Sequence, residues 1–128
     1  MATKEDKELL LKDLCERLPY GVKIYNHLGQ ISTFYGIKEN FIFVPRCVRY
    51  GISYDDVDIE SIKPYLRPMS SMTEEEYTHR CAFLDDIEGG VEEAIPNYTD
   101  WLNSNYFDYR GLIEKGLALE APEGMYNL

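Results

Sequence analysis

Between residues 22 and 52 the chain changes its period, and no other feature constrains its fold as much. Upstream, Leu10, Leu14 and Leu18 recur at helical spacing, with Leu11 and Cys15 beside them. From Val22 onward the chain turns to β-branched and aromatic residues: Val22 and Ile24, then Gln30 to Tyr35, then Phe41 to Val44. From Thr73 the helical signals return. A strand block bracketed by helices is the pattern of an α+β domain, with helices segregated from a mostly antiparallel sheet.

Local chemistry places the boundaries. Thr3, followed by Asp6, caps a first helix, and Pro19 and Gly21 end it. Asn26-His27-Leu28-Gly29 reads as a turn between two strands, and Gly36 to Asn40 as a second turn. Pro45 ends or bulges the third strand, and Cys47 to Tyr50 with Ile52 supply a fourth. Pro64 and Pro68 hold Lys63 and Arg67 extended, so residues 53–72 read as a connector clipped to the sheet by Ile62, Tyr65 and Leu66. Thr73-Glu74-Glu75-Glu76 is a capping box; it opens a helix to about Glu88, with Tyr77, Cys81, Leu84 and Ile87 on one face and Gly89-Gly90 as its stop. Pro96 and Asn97 start another helix, carrying Tyr98, Trp101 and Leu102, that ends near Asn105. Asp108 caps a last short helix over Leu112 and Ile113 that stops at Gly116.

The expected architecture is therefore one α+β domain over 1–128. It comprises an N-terminal helix (1–20), a β-meander (21–53), a connector (54–72), a helical C-terminal half (73–117) and an exposed tail (118–128). The sheet is small and antiparallel, of roughly three to five strands, either open or curled into an open barrel.

Charge is divided unevenly. Residues 1–50 carry eight Lys/Arg against six Asp/Glu, whereas residues 51–128 carry five against seventeen, giving −10 for the 128-residue chain. Its 45% hydrophobic content is that of a globular protein and not of an acidic disordered segment. The apolar runs Leu9 to Leu11 and Phe41 to Val44 are too short to cross a bilayer. Leucines mixed with charges of both signs at the N-terminus do not form a signal peptide, so a cytoplasmic location is expected. Cys15, Cys47 and Cys81 form no CxxC pair and read as reduced, mostly buried thiols.

Catalytic patterns are thin. His27 falls in a turn; His79 stands two residues before Cys81, a spacing that sends the two to different sides of a helix. Glu76-x-x-His79 resembles half of a di-iron motif, but it occurs once and Glu76 is explained by capping. The run Asp55 to Glu60 lacks the turn glycine and spacing of a calcium loop, and no Walker or GxGxxG loop occurs. No catalytic residue, metal site or cofactor is expected, and the chain reads as a non-enzyme.

Contact readings are stronger. Trp101, Tyr106, Phe107, Tyr109 and Arg110 fall close together and are residue types that anchor protein interfaces, so an unidentified protein partner is expected there. Asp55, Asp56, Asp58, Glu60, Asp85, Asp86, Glu88, Glu92 and Glu93 form an acidic surface that suits an alternative role, imitation of nucleic acid to inhibit a host enzyme. A further alternative is single-strand binding by Lys23, Arg46 and Arg49 among Tyr25, Tyr35, Phe41, Phe43 and Tyr50. The net charge argues against direct contact with nucleic acid.

Three longer strings add a resemblance: Lys63 to Thr73, Leu9 to Val22, and Phe107 to Leu117. Together they resemble a family of short acidic proteins of anaerobic gut bacteria and their phages or mobile elements, over the start, middle and end of the chain. The resemblance implies a bacterial or phage cytosolic setting. It brings no activity and no catalytic residue.

Overall fold

The computed structural model describes residues 3–38, 41–48 and 51–126, with side chains left aside at 38, 41, 43, 45–48 and 51–54. Helix α1 spans Lys4–Arg17. Its capping box is complete: Asp6 N donates to Thr3 Oγ1 and Thr3 N to Asp6 Oδ2. Leu10 and Leu14 are buried, but so are Asp13 and Arg17, which share the inward stripe. Leu18 does not extend that stripe. The α-helix ends at Arg17 and passes into a tighter 3₁₀ turn, Leu18–Tyr20, which takes Leu18 out of phase and leaves it exposed. Gly21 closes the turn at φ +66°, a conformation that favours glycine.

Strands β1 (Lys23–Tyr25), β2 (Ile31–Thr33), β6 (Lys63–Leu66) and β7 (Leu119–Glu120) form one sheet in the order β2-β1-β6-β7. The first two pairings are antiparallel and the last is parallel, so the sheet is mixed where the sequence suggested an antiparallel one. Strands β3 (Ile37–Lys38), β4 (Phe41–Val48) and β5 (Gly51–Asp58) form a second, antiparallel sheet. Pro45 does not end β4. It pairs in register with Tyr54, and beyond Ile42 the far edge of β4 meets no strand among the described residues, an edge position where proline is tolerated.

The connector is more ordered than its prolines suggested. Its first part belongs to β5, Ile59–Ser61 is a 3₁₀ turn, and its second part is β6. Pro64 lies opposite Ile24 and is buried, so extended geometry forced by proline was used to build an inner strand. The expected exposed tail is partly built into the sheet. Ala118 is buried, Leu119–Glu120 is β7, and Ala121 N donates to Leu66 O at 2.8 Å. The core gathers Leu10 and Leu14 of α1, Ile24, Ile42, Val44, Val57 and Leu66 of the sheets, Phe34 and Ile62 next to strand ends, and Leu112 from the C-terminal segment.

Helix α2 spans Glu74–Glu88, the bounds its capping box and glycine stop imply, and α3 spans Ala94–Ser104. The expected helix over Leu112 and Ile113 is a turn. Asp108 still caps it, accepting from Leu112 N at 2.8 Å and Ile113 N at 3.0 Å, but Gly111 sits at φ +72° and interrupts helical geometry.

A carboxylate-rimmed cleft between α2 and the C-terminal strap

Arg67, at the end of β6, organises one side of the molecule. Its backbone forms a bridge with Phe107: Arg67 N donates to Tyr106 O at 2.7 Å and Arg67 O accepts from Asp108 N at 2.8 Å. The guanidinium lies 4.3 Å from the centre of the Phe107 ring and clamps Glu76 with two bonds of 2.7 and 2.8 Å. Glu76 also accepts from Thr73 N. The hydrogen bonds from Arg67 hold the Glu76 carboxyl below the ordinary glutamate range, against burial, which pushes it up; the Thr73 backbone bond lowers it further.

Above this clamp α2 and α3 pack through rings. Phe83 stacks on Tyr98 at 5.6 Å; Trp101 lies 5.6 Å from Phe83, 5.6 Å from Phe107 and 6.3 Å from His79. Arg80 Nε donates to the Tyr98 hydroxyl at 3.1 Å. The face that docks therefore carries Arg80 and Phe83. Of the face expected from the sequence, Tyr77 is 57% and Leu84 37% exposed, whereas Cys81 and Ile87 are half-buried. No α2 residue is buried.

Opposite α2, residues 120–126 form a strap. Tyr126 stacks on Tyr106 at 3.7 Å, donates to Tyr65 O at 2.7 Å and accepts from Lys23 N at 2.9 Å. Between strap and helix lies an open cleft of about 820 Å³. Trp101, His79 and Tyr126 give it aromatic walls, and Glu75, Glu120 and Glu123 line it as well. None of those three carboxylates makes an ion pair among the described residues, and Arg67, the one Lys or Arg lining the cleft, is committed to Glu76. The sequence offered little sign of this cleft, because Glu120 and Glu123 fell in the supposed tail.

The five aromatic and basic residues expected to form a contact patch are brought together, but largely in internal joints. Phe107 is 0% exposed and belongs to the interior. Tyr106 stacks on Tyr126 and donates to Tyr20 O. The Tyr109 hydroxyl lies 3.0 Å from both Glu16 Oε2 and Asn103 Oδ1. Arg110 lies over the Tyr109 ring, bonds Asp13 at 2.7 Å and also bonds Glu16. Partial burial pushes the Glu16 carboxyl up, yet hydrogen bonds from Arg110, Tyr109 and Asn103 together bring it below the ordinary range. Trp101 alone of the five lines the cleft.

The acidic residues divide in two. Asp55 bonds His27 at 2.8 Å, Asp58 caps the 3₁₀ turn through Glu60 N, and Glu60 pairs with Lys7 at 3.2 Å, while Asp56 is exposed. Asp85, Asp86, Glu88, Glu92 and Glu93 are all exposed at the far end of α2 and the turn into α3. Cys15 is exposed and Cys81 half-buried, both as free thiols, contrary to the buried positions expected. Arg49 and Tyr50 lie outside the described residues, as do the side chains of Phe41, Phe43, Arg46 and Cys47. Lys23 bonds Thr33 at 3.0 Å, and Tyr25 and Tyr35 are exposed.

Fold and cleft define an α+β chain with two small sheets and an open, carboxylate-rimmed groove. No helix among the described residues is long and apolar enough to cross a membrane. Compared with family models, curated proteins and solved structures, the chain matches none.

Proposed function

We propose that this chain is a non-enzymatic, protein-binding accessory module of a bacterial or phage cytosol, and that it meets its partner at the cleft between α2 and the strap. The observation that carries this reading is the cleft itself. It is concave, aromatic-walled and rimmed by carboxylates that make no ion pair among the described residues. Its size falls in the range, roughly 300–1,000 Å³, of sites that enclose a ligand or a few side chains. A proton relay is disfavoured there, because Glu76 is bonded by both Arg67 and Thr73 and is not free to serve His79.

The test is affinity capture from the source cells with wild-type chain and with Glu120→Arg/Glu123→Arg. These residues are exposed, so the variant is expected to melt like wild type. A partner held by wild type and lost by the variant supports the reading. Equal capture by both places the contact elsewhere on the surface. Retardation of single-stranded oligonucleotides at low salt, lost as salt rises, would replace protein binding with nucleic-acid binding.

A further inference from the structure

We propose that the cleft receives an arginine- or lysine-bearing segment of the partner protein, with the cation lying over Trp101 and Tyr126 between Glu75, Glu120 and Glu123. The inference rests on the protein-binding reading and names the chemistry of the partner. Charge complementarity carries it. Among the described residues, three carboxylates without an ion partner line a cleft whose one lysine or arginine, Arg67, is neutralised bidentately by Glu76. The positive end of the α2 dipole, which would repel a cation, is already answered. Thr73 accepts from Glu76 N, and Glu74, Glu75 and Glu76 occupy the first turn.

The aromatic walls add the second element of cation recognition, since an ammonium or guanidinium is attracted to the face of an indole or phenol ring. The described residues already use that pairing, with Arg67 over Phe107 at 4.3 Å, Arg110 over Tyr109 at 4.6 Å and Arg17 over Tyr109 at 5.5 Å. An open groove of about 820 Å³ exceeds the needs of one free ammonium and suits several side chains of an extended segment.

Trp101 is the only tryptophan in the chain, so its emission reports directly on the cleft. The probe is a short acetylated, amidated peptide alternating arginine with serine, set against the same peptide with glutamine for arginine. The arginine peptide should shift Trp101 emission saturably, and the glutamine peptide should not. Glu75→Gln/Glu120→Gln/Glu123→Gln, checked for an unchanged melting curve, should weaken binding about tenfold, the combined worth of three rim ion pairs, and flatten its salt dependence.

The inference is overturned by no shift at millimolar peptide, by equal response to both peptides, or by full affinity in the triple variant. Arginine amide or spermidine binding as tightly as the peptide would assign the cleft to a small free cation and overturn the peptide assignment. If the arginine peptide fails while a captured partner is released by Tyr77→Ser/Ile95→Ser, two exposed side chains that do not line the cleft, protein binding stands while its cleft location and this inference fall.

Discussion

At the scale of single residues, the molecule places charge where its sequence pattern suggested leucine. Asp13 and Arg17, four apart on α1, are both 0% exposed and bonded at 2.8 and 3.1 Å; Arg17 also donates to Phe107 O at 2.6 Å. Arg110 reaches the same carboxylate from the C-terminal segment. Each of these buried charges has an opposite charge beside it, although Arg17 Nη1 is buried without a hydrogen-bond partner, and removing one partner of a buried pair costs about 3–5 kcal/mol. Asp13→Ala strands Arg17 in the interior and should destabilise by that amount in urea unfolding. Arg110→Ala leaves the Asp13–Arg17 pair intact and should cost clearly less. Equal losses would mean that Arg110 holds the cluster as much as Asp13 does. Tyr106 shows a related economy. It sits at φ +64° just after α3, where Tyr106 N bonds Asn103 O and Phe107 N bonds Leu102 O, the helix-ending arrangement in which glycine is usual. A left-handed tyrosine is strained, and here its ring stacking on Tyr126 and its hydroxyl bond to Tyr20 O offset that strain. No local sequence signal announces a tyrosine in that role.

At the scale of elements, what the sequence revealed and what it concealed divide by the range of the interactions. The capping box at Thr73, the Thr3 cap, the limits of α2 and the turn at Asn26–Gly29 were legible because their causes lie within a few residues. The strand identity of Lys63–Leu66, the parallel strand Leu119–Glu120 and the cleft were not, because each depends on segments distant in the chain. The docking face of α2 was only partly legible for the same reason. Its apolar residues follow a helical period and Cys81 and Ile87 are half-buried, yet contacts with α3 also run through Arg80 and Phe83. A helix with no buried residue depends on its cap and clamp more than a core helix does. Thr73→Ala should cost about 1 kcal/mol, seen as faster amide exchange confined to α2. The clamp adds a pH signature. The Glu76 carboxyl lies below its ordinary range when folded, so its contribution is complete above that range and is lost as pH falls through the folded value. Protection of α2 amides should therefore fall on acidification ahead of β1 and β6, and Glu76→Gln should remove that extra acid sensitivity. An α2 that loses protection only together with the sheet would show the clamp to be energetically unimportant.

At the scale of the whole molecule, the C-terminal strap joins parts that the sequence presented as separate. Tyr126 links Lys23 of β1, Tyr65 of β6 and the ring of Tyr106 after α3, so one hydroxyl and one ring tie the mixed sheet to the helical half and build a wall of the cleft. Burial pushes the Tyr126 phenol far above its ordinary value, against the Lys23 backbone bond that lowers it; burial also raises Tyr106 and Tyr109. A phenol whose folded pKa exceeds its unfolded one contributes stability in full below the unfolded value. That contribution is lost as pH climbs from about 10 toward the folded value. The protein should thus lose stability in alkali in step with deprotonation of the unfolded chain, and its folded form should resist tyrosinate absorbance at those three positions. Tyr126→Phe keeps the ring stack but leaves Lys23 N and Tyr65 O without their partner, a loss of about 1–3 kcal/mol at neutral pH. It should also make the alkaline fall shallower, measured as the urea midpoint across the alkaline range. If Tyr126→Phe melts like wild type at neutral pH, the strap is a covering and not a joint, and the cleft would lose the fixed wall on which cation binding depends.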